Sequence, residues 1–390
     1  MLPRVPVAID DARMQEANRW LKSRGFSWAE IAPRIDLVGN VWFKTEWFLD
    51  RMDRVAARIK DTPPVDDLDV LIRLFVLQLP VTSKRFDETI PAELASSFEA
   101  MGLVTRHEGR VEAPVAVLEH DGIFIVSDTF KEMADDLALL PLGDQFPFVS
   151  TITRRPGERY LDLCTGSGIY ALLRSRTNRD VIGVDINARP LGFAEFNRRL
   201  NGIDNVRFMK GDLYKAVSGK FDIISANPPF FPDREHPTEK RGDFGHGGAA
   251  GDLITNEILE GLDNHLVDGG YCFVLSFSLY WKDGSVNPNW PRMQAKGYDI
   301  LQMSNAVPLD DPTVAPQGLR DALRVGAERI EFGPCVFRKH AGEKRAGWLA
   351  RAPFVEKLGF DVHDLFGALS TAATDDARDE ITRSYFKRHA

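Results

Sequence analysis

The sequence predicts an α/β fold: a Rossmann-like, mostly parallel sheet with a late antiparallel strand, preceded by an N-terminal helical, winged-helix-like domain. Three observations carry this expectation. From Tyr160 onward, short apolar runs alternate with stretches of helical spacing, the pattern of parallel strands joined by crossover helices. Before that, segments of helical spacing are followed by β-like runs around a turn, the order of a winged helix. Between the two lies Asp144 to Thr151 (DQFPFVST), which reads as a Pro-containing connection. A chain of 390 residues exceeds the size at which one core usually stops growing. The expected division is a helical and winged-helix-like domain over 1–150, the α/β domain over 151–345 and a helical tail over 346–390.

In the first region, Asp10 to Arg24 and Trp42 to Lys60 have helical apolar spacing. Asp67 to Leu79 (DLDVLIRLFVLQL) is strongly apolar and reads as buried. Thr82 to Phe86 gives a short turn and helix start, and Ile90 to Met101 (IPAELASSFEAM) a second helix. Val104 to Ala113 and Val115 to Val126 read as two strands around a turn. A recognition helix at Ile90 to Met101 would carry Glu93 and Glu99 and no Lys or Arg. Base edges and phosphates call for positive or amide side chains, so packing, dimerisation or substrate covering fits this helix better than DNA reading. In the second region the strands are Tyr160 to Cys164, Val181 to Ile186, Val206 to Met209, Phe221 to Ala226 and Tyr271 to Phe277, with Tyr298 to Met303 and Ile330 to Arg338 later. The helices are Ile169 to Arg176, Ala188 to Asn201 and Leu253 to Leu266. An acidic helical stretch lies near Asp375 to Glu380.

Composition narrows the function classes. Lys and Arg number 49 against 57 Asp and Glu, a formal net charge of −8. That argues against a large nucleic-acid footprint, which needs clustered positive charge, while a local basic channel stays compatible. No apolar run approaches the roughly 20 residues that span a bilayer, and the N-terminus lacks the apolar core of a signal peptide. Cys164, Cys272 and Cys335 are odd in number and far apart, which fits neither a zinc site nor a disulfide framework. Reduced thiols in a cytoplasmic protein, with no metal and no membrane partner, are the expectation.

Four motifs sit at successive strand ends. Leu161-Asp162-Leu163-Cys164-Thr165-Gly166-Ser167-Gly168 follows a strand and opens a helix, where small residues let backbone approach a ligand and free N–H groups face it. Asp185, in Gly183-Val184-Asp185-Ile186, can accept both hydroxyls of a ribose, or it or Asn187 can cap the next helix. Asp212, in Gly211-Asp212-Leu213, can accept an adenine amino group, or serve as a turn aspartate. Asn227-Pro228-Pro229-Phe230 ends the fourth strand. Its prolines make a stiff turn without donors, its carbonyls and the Asn227 amide oxygen remain acceptors, and Phe230 offers a π face to a planar NH₂ group.

Taken together, residues 159 to 278 resemble class I S-adenosylmethionine-dependent methyltransferases, specifically those with an N-P-P-[YF] motif. Ala194-Glu195-Phe196-Asn197, Leu200-Asn201-Gly202, Asn205-Val206 and Gly247-Gly248-Ala249-Ala250-Gly251-Asp252 extend the likeness. The group includes HemK-like enzymes that methylate a glutamine amide in release factors, and enzymes that methylate exocyclic amines of nucleobases. The resemblance implies S-adenosyl-L-methionine as cofactor. Its methionine part would lie against Asp162, Cys164, Thr165, Gly166 and Gly168, its ribose on Asp185, and its adenine near Ile186, Asp212 and Leu213. The target amine would meet Asn227, Pro228 and Phe230. The family usually has glycine where Cys164 stands; a cysteine there is tolerated while the backbone keeps a negative φ.

The expected reaction is N-methylation of a planar amine or amide, on a protein glutamine or a small molecule. Hydrogen bonds from its N–H groups to Asn227 Oδ1 and the Pro228 carbonyl would raise electron density on a poorly nucleophilic nitrogen. A nucleobase acceptor, other chemistry on S-adenosylmethionine itself, and a non-catalytic cofactor-binding regulator are the alternatives. The nucleobase reading needs a basic surface near Asn227, for which Arg174, Arg176, Arg179, Arg198 and Arg199 are candidates. Phe231 to His246 reads as a mobile loop over the target site, in which His236 and His246 could act as acid–base groups or simply be solvated. Tyr170 and Trp281 could line the pocket or pack in the core.

Overall fold

The computed structural model describes residues 5–36, 45–129, 137–138, 145–153, 155–230, 247–288, 290–307, 323, 326–340, 345–355 and 358–389. Helix α1 (Asp11–Ser23) begins where the Asp10 carboxylate accepts the backbone N–H groups of Ala12 and Arg13, an N-cap that satisfies two otherwise orphaned donors. Helices α2 (Trp28–Arg34), α3 (Thr45–Ile59) and α4 (Asp67–Phe75) follow, and α4 is buried over Leu68 to Phe75 apart from Asp69. Then come β1 (Val81–Thr82), α5 (Ser83–Thr89), α6 (Ala92–Met101), β2 (Thr105–His107) and β3 (Arg110–Glu112), whose strands pair in the order β1-β3-β2. The Arg13 guanidinium of α1 donates to Ser97 Oγ of α6 at 2.9 Å, so α1 covers one side of that helix. Its exposed side carries Glu93, Ser96 and Glu99, and Glu99 pairs with Arg106. This helix thus offers phosphates no cation of its own.

The two runs expected as single strands around one turn are instead two separate hairpins. Strands β2 and β3 turn at Glu108-Gly109, and β4 (Ala116–His120) and β5 (Ile123–Ser127) turn at Asp121-Gly122. All four turn residues have positive φ (47°, 76°, 48° and 75°). A two-residue loop of this kind matches the right-handed twist of the strands it joins. A second correction concerns Asp144 to Thr151: Gln145–Thr151 is helix α7. Pro147 falls in its first turn, where no intrahelical N–H is required, so the proline did not exclude a helix.

The α/β region is a ten-stranded sheet with the main order β15-β12-β14-β10-β9-β6-β7-β8. Its strands are β6 (Gly157–Leu163), β7 (Asn178–Asp185), β8 (Val206–Lys210), β9 (Phe221–Ala226), β10 (Leu266–Tyr280), β11 (Val286–Asn287), β12 (Tyr298–Met303), β13 (Asn305–Ala306), β14 (Arg329–Lys339) and β15 (Leu349–Ala352). Strands β6 to β10 run parallel, and all but the edge strand β8 are buried on both faces at their centres, while β14 lies antiparallel between β10 and β12. Helices α8 (Ile169–Arg174), α9 (Ala188–Leu200), α10 (Leu253–His265) and α11 (Trp290–Ala295) cover the faces. The chain moves from β6 to β7 and β8 on one side, then returns to β9 on the other side of β6. That reversal opens a crevice outside the carboxyl ends of β6 and β9, where open α/β sheets bind ligands.

Strand β10 begins five residues earlier than Tyr271 because Gly269, at φ 78°, and Gly270 interrupt its register with β9 without ending the strand. The last region is not wholly helical either. Strand β15 adds in parallel to β12, and only then do the helices Val362–Leu369 and Asp375–His389 follow. The Asp361 cap of the first of these also accepts Thr153 Oγ1 at 2.8 Å, tying the end of the chain to the segment after α7. Among the described residues, no helix is long and apolar enough to cross a membrane.

Candidate active site

The loop after β6 is held from several directions. Thr165 N–H donates to the Val184 carbonyl at 3.0 Å, and Gly168 N–H to the Thr165 carbonyl at 2.9 Å. Gly166 N–H donates to Asp185 Oδ2 at 2.9 Å. Gly166 and Gly168 have φ of 55° and 87°, conformations that cost a glycine little. A Cβ at Gly168 would strike Phe208 at 2.7 Å, whereas one at Gly166 would meet nothing within 4 Å. Gly168 therefore serves helix packing, while Gly166 borders open space at the mouth of the crevice. Cys164 departs from expectation: its φ is +57°, in the left-handed region rather than at negative φ. The tight turn out of β6 imposes this conformation, which costs an L-residue about 1–2 kcal/mol.

Asp162 is fully buried. Its Oδ2 accepts Thr165 Oγ1 at 2.6 Å, and its Oδ1 accepts Ser225 Oγ at 2.6 Å. Tyr160 donates in turn to Ser225 Oγ at 2.5 Å. Burial pushes the Asp162 carboxyl up to about 7, against the two hydroxyl hydrogen bonds that favour its charged form. The expected direct contact with a methionine thus has no exposed carboxylate surface in this structure; Asp162 braces β6, β9 and the glycine loop instead. Ser225 and Tyr160 of this chain were not singled out from sequence, where they are ordinary strand residues.

Asp185 ends β7 beside this loop. Its Oδ1 accepts Asn187 N–H at 2.9 Å, and its Oδ2 takes the Gly166 N–H. Asn187 occupies the N-cap position of α9, but its side chain makes no capping hydrogen bond. A carboxylate has about four lone-pair sites, so Asp185 keeps accepting capacity. Burial raises its pKa against the backbone N–H groups of Asn187, Gly166 and Ile186. Ile186, next in sequence, is 61% exposed, an apolar side chain with nothing over it. Asp212 and Leu213 follow β8; Asp212 pairs with Lys215 through Oδ2, and Leu213 is half-buried with φ 47°. Exposed apolar surface at Ile186, the Asp185 carboxylate and open space beside Gly166 together fit a nucleoside cofactor.

Asn227 follows β9 across the crevice. Its Nδ2 donates to the Tyr170 hydroxyl at 3.3 Å, which directs the amide nitrogen into the protein and leaves Oδ1 as the acceptor. Tyr170 is buried on α8 and meets the Phe148 ring edge-to-face at 5.1 Å. Pro228 is buried and Phe230 half-buried. Phe230 packs against Phe277 at 5.2 Å and Phe332 at 5.5 Å, so an aromatic wall from β10 and β14 backs the turn. Trp281 belongs to the same apolar cluster. His236, His246 and the segment 231–246 lie outside the described residues.

The basic candidates are engaged elsewhere. Arg174 is buried and holds Asn178 and the carbonyls of Thr153 and Arg155. Arg179 pairs with Glu158, Arg198 with Glu195, and Arg199 with Asp11 of α1. Arg176 lies against the Asp121-Gly122 turn.

Comparison with known proteins bears on the same strands. Residues 145–276 match the family described as Methyltransferase small domain, and residues 49–114 match a Domain of unknown function (DUF7059). The chain is 29% identical to a putative protein N5-glutamine methyltransferase of Methanocaldococcus jannaschii, over 38% of this chain and 76% of that one. It is 33% identical to a release factor glutamine methyltransferase of Thermodesulfovibrio yellowstonii, over 30% and 46%. It is 36% identical to a ribosomal protein uL3 glutamine methyltransferase of Xanthomonas campestris, over 30% and 41%. The chain therefore spans less than half the length of the last two relatives. The matched segment contains β6 to β9 and the described residues at their carboxyl ends, so it is the site-bearing part of the chain that is similar to methyltransferases.

Proposed function

We propose that this chain N-methylates a planar amide, the side chain of a glutamine in an acceptor protein. The observation that carries the reading is the Asn227 amide, whose nitrogen is committed to Tyr170 at the end of β9. Its oxygen is thereby oriented to accept an N–H from a substrate NH₂ group, and the Pro228 carbonyl supplies a second acceptor. Two acceptors on one NH₂ group hold the nitrogen in place and favour the charge that develops on it during attack. Phe230, backed by Phe277 and Phe332, gives the amide plane an apolar face to rest on. The glutamine named by the relatives is such an amide, which supports the choice of acceptor.

The cofactor supplies an electrophilic methyl group on a sulfonium. The glycine loop would lie against its methionine part, with Asp185 on its ribose and Ile186, Leu213 and Asp212 by its adenine. Asp162 acts at one remove, by fixing Thr165 in that loop. A nucleobase acceptor finds no comparable support, since Arg174 is buried on internal contacts and Arg179, Arg198 and Arg199 each pair with a carboxylate. The test separates binding from turnover. In Asn227→Ala, methyl transfer should fall about 100-fold or more, while calorimetric affinity for S-adenosylmethionine stays within about threefold of the unaltered chain. A parallel loss of affinity would assign Asn227 to cofactor binding instead.

A further inference from the structure

Two asparagines, Asn197 on α9 and Asn201 at its C-cap, make a ladder with the free edge of β5. The two-residue turn at Asp121-Gly122 pairs His120 with Ile123, so backbone groups of Ile123 and Ile125 face β4 and those of Phe124 and Val126 point outward. Asn201 Oδ1 accepts Phe124 N–H at 2.9 Å, and its Nδ2 donates to the Phe124 carbonyl at 2.7 Å. Asn197 repeats the pattern one helical turn earlier: Oδ1 accepts Val126 N–H at 2.8 Å, and Nδ2 donates to the Val126 carbonyl at 3.0 Å. The spacings agree, because four helical residues rise about 6 Å and two strand residues about 6.7 Å. Each amide thus stands in for a residue of a neighbouring strand and satisfies an edge that would otherwise be open.

Asn197 does one thing more. Its second Nδ2 hydrogen goes to the Ser167 carbonyl at 3.0 Å, inside the glycine loop. Asn197 is fully buried, and only one orientation of its amide meets one N–H and two carbonyls. One side chain therefore joins the edge of a hairpin in the N-terminal region to the loop that faces the crevice. Nearby, Asp128 just beyond β5 forms a buried ion pair with Arg189 of α9, with Nη2 to Oδ1 at 2.6 Å.

From this arrangement we infer that Asn197 is a positioning residue that couples hairpin docking to cofactor binding. The N-terminal region is then part of the cofactor site rather than an appendage to it. The inference rests on the cofactor reading of the glycine loop. By linkage, whatever tightens the loop also tightens β5 on α9, and loss of that docking loosens the loop.

The test titrates S-adenosylhomocysteine into the full chain, Asn197→Ala and Asn201→Ala by calorimetry. Both variants loosen the hairpin, but only the first releases Ser167. Asn197→Ala should weaken binding about tenfold or more, and Asn201→Ala less than about threefold. Hydrogen exchange on the unaltered chain gives a second readout: saturation with S-adenosylhomocysteine should protect the Phe124 and Val126 amides. Native affinity in Asn197→Ala, equal losses in both variants, or β5 amides indifferent to the cofactor would each overturn the coupling. Should Asn197→Ala fail to fold, the exchange result decides alone. An unaltered chain that binds no S-adenosylhomocysteine would instead remove the cofactor reading, and the inference with it.

Discussion

Replacing Tyr170 by phenylalanine deletes one oxygen and tests how Asn227 is aimed. The ring keeps its place, because Tyr170 is 3% exposed and its edge-to-face contact with Phe148 needs no hydroxyl. What disappears is the acceptor 3.3 Å from Asn227 Nδ2. A neutral hydrogen bond of that length is worth about 0.5–1.5 kcal/mol, so the correct amide orientation loses a bias of roughly twofold to tenfold. Turnover in Tyr170→Phe should fall by that factor, while the KM for S-adenosylmethionine stays unchanged. The decisive assay is a double-mutant cycle using labelled methyl transfer to a glutamine-containing acceptor. In an Asn227→Ala background there is no amide left to orient, so Tyr170→Phe should have no further effect. An equal fall in both backgrounds, or no fall in either, would refute the orienting role.

Three further outcomes follow from the same geometry. An unfolded aspartate releases its proton near 3.8, whereas buried Asp162 holds it up to about 7. Stability from this group is therefore full below pH 4 and is lost as pH rises to 7, by about 4 kcal/mol in all. Asp162→Asn should flatten that slope in urea unfolding, and an unaltered slope would contradict it. Cys164 sits at φ +57°, so thermal stability should rank glycine above cysteine above valine at this position, in steps of about 1 kcal/mol; a valine variant as stable as the cysteine would remove the strain argument. Asp128→Ala leaves Arg189 with a broken buried pair and takes an acceptor from the Ala138 N–H. It should cost about 3–5 kcal/mol by denaturant unfolding, and a cost below about 1 kcal/mol would mean that the hairpin docks without this pair.

The central parallel strands were readable in the sequence because they are buried on both faces. Val181 to Ile186 and Phe221 to Ala226 are apolar runs bounded by polar turns, and the structure has strands there. Site residues at strand ends were legible for a related reason, since Asp185 and Asn227 each interrupt an apolar run where the next element begins. Features that depend on distant partners were not. The glutamate–glycine and aspartate–glycine pairs at 108–109 and 121–122 carried a turn signal, yet the runs around them read as unbroken strands. Strand β15 forms only because β12 offers an edge, and nothing local announces it. The positive φ of Cys164 belongs to the turn rather than to cysteine. The roles of Tyr170, Ser225 and Asn197 arise from contacts 57, 63 and 71 residues away in the chain. An (i, i+4) pair of asparagines on a largely apolar helix face was the one local clue to the ladder.

The most direct measurement of the central claim follows a labelled methyl group. Purified chain, methyl-labelled S-adenosylmethionine and a cell extract are incubated together, and the products are divided into protease-sensitive, nuclease-sensitive and small-molecule fractions, with an Asn227→Ala control. Label should enter the protease-sensitive fraction, lie on a glutamine side-chain nitrogen and depend on Asn227. Label in the nuclease-sensitive or small-molecule fraction, or no transfer by a chain that binds the cofactor, would contradict the assignment of a protein amide as the acceptor.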